Sequence, residues 1–576
     1  MRFLLLITAL FALCAPASAD DGQDLLYGLA MHGTPKHTRN DTHLNYANPD
    51  APKGGHINRA VIGSFDTLVP YTIKGKPAAG LGMITDSLMA RSWDEPFTMY
   101  PLIAKGYTIA PDRSWITFTI DPEARFHDGT PITVEDVIFS FETLREYGRP
   151  NMRRIYKIVT EYIKIAPNRI QFKFGEGYDR ETALIMSMMP VLSKSYWQGR
   201  AFDTTTLEEP IGNGAYKIKS LTPGRNISYE RVSDYWAKDK LTRAGHNNFD
   251  TITFHYFRDD GVALEAFKSG QTDLRHEPDV SRWMNAYDIP AVREGNIIRE
   301  TIPHKRPVRA KGLIFNTRRA PFDDIRVREA LSLLLDDDWI NKNLFYGDFK
   351  KIDSYYPNSE LAASYQAPSS TQGETDISKR RTEMRKAYAL LEQAGWIIQD
   401  GKRVEKETQN PFTFEILLGA PEDEKIALHF ARALEKAGIT AKIHVMDSAA
   451  YRARMNDYDF DMTIYYWQSS LSPGTEQMLY FSCEAANQPA RWNFPGICDP
   501  EIDRLADSIA RSKTRQDLVN TVRALDSKLL SGHYMIPLFY NNADYYAYWK
   551  HLKHPDEPSL YGAVIETWWM NEPTAQ

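Results

Sequence analysis

Several groups of residues in this chain have types suited to chemistry. His127 and Asp128 are adjacent, as an acid/base pair would be. His32, His37 and His43 fall within 12 residues, and Asp336, Asp337 and Asp338 are consecutive, so either set could offer metal ligands. Cys483 and Cys498 could form a disulfide or share a metal. Tyr465, Tyr466 and Trp467 run into the polar loop Gln468-Ser469-Ser470, and Arg491-Trp492-Asn493 follows in the same region. Aromatic faces with a few polar groups suit an organic ligand, and an arginine can grip a carboxylate with two parallel hydrogen bonds.

Spacing removes most of the catalytic and metal readings. Asp128-Gly129 is a turn signal, and no nucleophile of recognised context accompanies His127. The three histidines fit no single helix face and have no obvious carboxylate partner. Three consecutive aspartates on a helix fan apart by about 100° each. The chain contains no G-x-S-x-G, H-E-x-x-H, Walker A or C-x-x-C pattern. We therefore assign no catalytic residue, no metal site and no cofactor from the sequence. Two cysteines 15 residues apart in an oxidising compartment most simply form one local disulfide.

The compartment is read from the first residues. Residues 1–19 carry one Arg, an apolar run from Phe3 to Leu13, and Ala17-Ser18-Ala19, the pattern of a removed secretory signal. No later stretch approaches the roughly 18 apolar residues of a membrane span. A net charge of −6, dispersed along the chain, argues against nucleic-acid binding, which needs basic clustering.

The elements that must position these residues alternate strand and helix. Ile116, Phe118 and Ile120 alternate with threonines, as in a half-buried strand. Thr133 and Asp136 then mark a helix start, with Val137, Phe141 and Leu144 at helical spacing. Residues 250–274 read strand, helix, strand, which implies a parallel sheet with a right-handed crossover. From Phe412 to Trp467 the order is β-α-β-α-β, a second α/β unit. Ligands of open α/β sheets lie beyond the carboxyl ends of strands, where Tyr465 to Ser470 and the following loop fall.

Specific strings go further. FHDGTPIT-EDV-FSF, EEPIGNGAYKIKS and FNTRRAPFDDIRVREALSLLLD resemble the matching segments of the family 5 extracellular solute-binding proteins, the peptide-binding subunits of ABC importers. The N-terminal LYGLAMHGTPKHTRNDTHLNYANPDAPKGG and the C-terminal ETWWMNEP resemble the YejA-type oligopeptide-binding subfamily. The resemblance implies a two-lobed α/β periplasmic binding protein of the larger, three-region type, closing about a hinge. Residues 20–80, 207–310 and 535–576 would form lobe I, residues 81–206 an appended region, and residues 311–534 lobe II. His127 and Asp128 would be structural. The loop with Phe65, Asp66 and Leu68 would face the cleft, and the strand ending at Trp467 would pair with a peptide backbone. Several relatives place an Asp for the ligand's α-ammonium where this chain has Ser470. Partners would be a peptide or peptide-like ligand and permease and ATPase subunits on separate chains, with a monomeric binding protein. The alternatives are a non-peptide solute (an opine, oligosaccharide or metal chelate) and a periplasmic hydrolase.

Overall fold

A computed structural model describes residues 25–363 and 376–571. The signal sequence lies outside the described residues. Two sheets set the architecture. A seven-stranded mixed sheet runs, in spatial order, Ile297–Pro303, Ala543–Trp549, Leu274–His276, His56–Ile62, Thr251–Phe257, Asn226–Arg231 and Tyr216–Thr222. A five-stranded sheet runs Thr440–Val445, Thr413–Leu418, Met462–Trp467, Ala310–Phe315 and Met535–Pro537. Each has its own apolar core, and together they form two lobes.

The expected strand–helix–strand of lobe I is present: Thr251–Phe257, the helix Asp260–Lys268 and Leu274–His276. Its two strands are not neighbours. His56–Ile62 lies between them, parallel to both, so the crossover spans a strand brought in from the N-terminal part of the chain. In lobe II, Thr413–Leu418 pairs in parallel with Thr440–Val445 and with Met462–Trp467. Ala310–Phe315 follows antiparallel to Met462–Trp467, and Met535–Pro537, antiparallel to it in turn, closes the row.

The third region holds a four-stranded antiparallel sheet, Ala104–Ile109, Trp115–Ile120, Arg169–Phe174 and Val159–Ala166. Trp115–Ile120 was expected to be half-buried. Thr117 and Thr119 are buried as well as Ile116, Phe118 and Ile120, because the strand is central and covered on both faces. The helix Val134–Tyr147 starts at a full capping box: Asp136 N–H donates to Thr133 Oγ1, and Thr133 N–H donates to Asp136 Oδ2.

His127 fastens this region to lobe I. Its Nε2 lies 2.8 Å from the Gly214 carbonyl, and its N–H donates to the Gly212 carbonyl. Glycine is needed there for close approach: a Cβ on Gly212 would lie 2.0 Å from the Ile84 oxygen. Asp128 accepts from Thr130 N–H and Oγ1, a turn.

The chain crosses between lobes twice, through residues 304–309 and 538–542. His304 N–H donates to the Asn542 carbonyl, tying the crossings together. Asn358 Nδ2 donates to the carbonyls of His304 and Arg306, and Arg306 makes a two-pronged ion pair with Asp544. Two short, adjacent crossings are the geometry of a hinge.

Candidate binding cleft

Lobe II presents its aromatic residues at the carboxyl end of the Met462–Trp467 strand. Tyr465 and Tyr466 stack with centroids 5.5 Å apart, and Tyr465 meets Phe494 edge-on at 4.4 Å. Both tyrosines keep part of their surface in solvent. Arg309, one residue before the neighbouring strand, lays its guanidinium 4.4 Å from the Tyr466 ring. Arg309 is exposed and makes no hydrogen bond or ion pair among the described residues. Sequence reasoning missed it. The available signal was its position immediately before Ala310–Phe315, a strand that pairs with the one ending at Trp467.

The other expected residues divide sharply. Trp467 is only 3% exposed, packed against Tyr355 and Phe481, with its Nε1–H donated to the Trp492 carbonyl. Asn493 is fully buried: its Nδ2 donates to the Ser482 and Ile497 carbonyls, and its Oδ1 accepts from Gly496 and Ile497 N–H. These two side chains are core and turn, not ligand surface. Gln468 and Ser470 are exposed, and Ser470 Oγ accepts from Ser472 N–H. Ser469 Oγ donates to the Tyr355 carbonyl. Trp492 is 40% exposed and meets Tyr480 edge-on. Arg491 is exposed and donates from Nε to Gln488.

In lobe I the loop after His56–Ile62 turns its apolar side chains inward. Phe65 packs on Tyr256 with centroids 5.0 Å apart, and Leu68 is buried in the same core. They too are corrected from ligand surface to core. The physical reason is a cover: Asp66 N–H donates to the Lys76 carbonyl, and Leu68 N–H to the Thr206 carbonyl. Asp66 alone of the three is exposed, and its Oδ1 accepts from Lys76 N–H.

Charged groups of the two lobes also influence one another. Burial, with the nearby carboxylates of Asp179 and Glu476, raises Glu181 to about 7. Glu476, in lobe II, is raised mainly by its own burial. Neither acid has a lysine or arginine within ion-pair distance among the described residues. Further along, burial lowers His32 to about 4, helped by Arg180 and Arg113 of its own side and Arg515 of lobe II. Cys483 and Cys498 form a disulfide at the edge of this lobe. His37 and His43 lie apart from His32, by Tyr100 and Thr42 respectively. Asp336 caps the helix Asp337–Leu344. No group of three metal-ligating side chains is gathered among the described residues.

Two α/β lobes joined by two hinge crossings, with an aromatic, arginine-flanked strand end in one lobe, define a two-lobed solute-binding protein. The chain matches the model of the bacterial extracellular solute-binding proteins, family 5, over residues 98–489, and it belongs to that family. It is 36% identical to the peptidoglycan-binding protein YepA of Agrobacterium fabrum (strain C58), over 98% of each chain. It is 35% identical to YejA of Escherichia coli (strain K12), over 99% of this chain and 97% of that one. Among solved structures it is similar in fold to the periplasmic murein tripeptide binding protein MppA in an unliganded open form. That match has a TM-score of 0.67 at 18% identity, covering 91% of this chain and 99% of MppA. No described helix is long and apolar enough to cross a membrane.

Proposed function

We propose that this protein binds oligopeptides, peptidoglycan-derived peptides among them, in the cleft between its lobes and passes them to an ABC import permease. It acts in the periplasm as a monomer without catalytic activity, and the permease and ATPase are separate chains. The observation that carries the reading is the Tyr465–Tyr466 stack with Arg309 beside it, at the carboxyl end of a central strand. Flat aromatic faces support a peptide's side chains, and a free guanidinium takes its carboxylate. The names of two relatives at 34–36% identity, "Peptidoglycan-binding protein YepA" and "Probable peptide-binding protein YejA", both of Agrobacterium fabrum, support the same class. Closure about residues 304–309 and 538–542 would enclose the ligand.

The decisive experiment is mass spectrometry of material released on denaturing protein purified from the periplasm, followed by solution scattering with the identified molecule. Peptides should be released, and the radius of gyration should fall on rebinding. A sugar, opine or metal chelate as the only tightly held molecule would overturn the peptide reading.

A further inference from the structure

The His56–Ile62 strand carries an arginine where its own pattern calls for an apolar residue. On the face shared by Ile57, Arg59 and Val61, the neighbouring strands contribute Ile252, Phe254 and Leu274, and Ile57 is buried in the core. Arg59 stands in the middle of that face. Its guanidinium lies 5.4 Å from the Phe254 ring centroid. It makes no hydrogen bond and no ion pair among the described residues. Arg59 is half-buried and has no acceptor to offset what its cation loses in hydration, and burial lowers its pKa.

Space explains the residue. Arg59 lines a cavity of about 530 Å³ between the sheet face and a cover built from residues 80–93, 242–247 and 564–566. This volume falls within the range of small-molecule sites. Every residue that lines it comes from outside the five-stranded sheet and its lobe, so the cavity is complete without lobe closure. It reaches Asn247, which precedes the Thr251–Phe257 strand, so it extends away from the carboxyl ends where the cleft lies.

The other charges of the cavity are mostly spoken for. Arg243 donates to Asp86 at 2.7 Å. Arg91 donates to the Pro96 carbonyl and to Tyr561 Oη, and its guanidinium lies over Trp93. Burial lowers His246 to about 4, which leaves it neutral. One acid remains. The exposed Glu566 carboxylate has no hydrogen bond or ion pair among the described residues and is not within ion-pair distance of Arg59. Its backbone is pinned: Asn247 N–H donates to the Glu566 carbonyl, and Asn248 Nδ2 donates to the carbonyls of Thr567 and Trp568.

We infer that this cavity is a second binding site, for a small zwitterion of the amino-acid class, with Arg59 taking the carboxylate and Glu566 at the mouth taking the ammonium. An unpaired cation and an unpaired anion on one cavity, held apart by rigid elements, are what such a ligand would bridge. The site is independent of the peptide cleft and would stand if that reading failed.

The test uses calorimetric titration and thermal unfolding of the full chain with three probes of one skeleton: alanine, propionate and alaninamide. Alanine should bind best and propionate more weakly, while alaninamide should give no signal. Arg59→Met should weaken alanine and propionate on the order of 10- to 100-fold, while the ligand-free unfolding midpoint does not fall. Glu566→Gln should reduce alanine to the level of propionate and leave propionate unchanged. Tyr466→Ala, in the cleft, should leave alanine binding untouched. The inference is overturned if neither alanine nor propionate binds the parent chain. It is equally overturned if binding survives Arg59→Met, or is lost in Tyr466→Ala. A fall in the ligand-free midpoint of Arg59→Met, with no probe bound by the parent, would mark Arg59 as structural. Should Arg59→Met not fold, the surface variant Glu566→Gln carries the test through the alanine-to-propionate ratio.

Discussion

The two loops expected to line the cleft have similar compositions and opposite fates. After His56–Ile62, the loop residues Phe65 and Leu68 turn inward. At the end of Met462–Trp467, Tyr465 and Tyr466 keep solvent-facing surface, and Gln468 and Ser470 are exposed. Local propensity does not separate them, because both are short aromatic and polar stretches at the carboxyl end of a strand. What separates them is cover. Lys76 and Thr206 accept hydrogen bonds from the lobe I loop and hold chain over it. In lobe II only the Trp467 ring is roofed, by Tyr355 and Phe481. Which strand end stays open is thus decided by what the rest of the chain leaves uncovered.

The largest effect should come from the covered loop. Phe65→Ala removes a buried ring packed on Tyr256, and such truncations cost about 3–5 kcal/mol. The chemical-denaturation midpoint should fall clearly while peptide affinity of the folded protein changes little. Unchanged stability with lost affinity would return Phe65 to the cleft and erase the contrast.

Next comes the exposed loop's charge. Arg309→Ala, or C-terminal amidation of the bound peptide, should each cost about 1.5–3 kcal/mol of affinity. Applied together they should cost little more than one alone, since each removes the same pair. The stability of Arg309→Ala should stay within about 0.5 kcal/mol of the parent. Full additivity in calorimetric titration would move the carboxylate grip elsewhere, with Arg491 the first residue to examine.

The acidic contact between lobes should be smaller. Glu181 has its pKa raised to about 7 in the folded protein, chiefly by burial. The native state therefore binds the proton more tightly than the unfolded state does. Stability from this group is fully present below the unfolded carboxyl pKa and is lost as pH rises through about 7. Discounted for its partial exposure, the effect is roughly 1–2 kcal/mol. Asp526, raised to about 6 by burial, contributes in the same direction, so the readout is a difference. The Glu181→Gln midpoint should lose part of the parent's decline between pH 5 and 7.5. Parallel curves for parent and variant would show that Glu181 does not carry it.

Much of the frame was legible in the sequence because its causes are local. Thr133 and Asp136 are three residues apart, and their reciprocal capping needs nothing else. The β-α-β-α-β order of lobe II follows from periodicity and from the turns between elements. What could not be read depends on chain arriving from far away. The insertion of His56–Ile62 between Thr251–Phe257 and Leu274–His276 is a pairing across about two hundred residues. The meeting of Glu181 with Glu476 crosses the lobes. Arg59 sits in an ordinary-looking strand, and the cavity it lines is assembled from residues far apart in the chain. Asn493 reads as a polar contact residue, yet its amide is consumed by three backbone groups of the turn that follows it and by the Ser482 carbonyl.

The smallest effect, and the finest test of the contrast, concerns the ligand's amino end. The family resemblance implies that several relatives hold a ligand's α-ammonium with an aspartate where this chain has Ser470. Here Ser470 is exposed, and its Oγ already accepts from Ser472 N–H. A neutral hydroxyl in contact with water gives a buried ammonium no compensating charge, so the amino end should stay hydrated. Exposed ion pairs contribute roughly 0–1 kcal/mol, and N-acetylation should therefore cost no more than that. Ser470→Asp supplies the missing carboxylate. In that variant the free peptide should gain affinity while the acetylated one does not, opening a difference of about 1 kcal/mol where the parent shows little. The measurement is titration of one peptide in both forms against parent and variant. If acetylation abolishes binding to the parent, an acid elsewhere holds the ammonium. Asp66, an exposed acid of the covered loop, would then join the exposed strand end of lobe II as part of the same site.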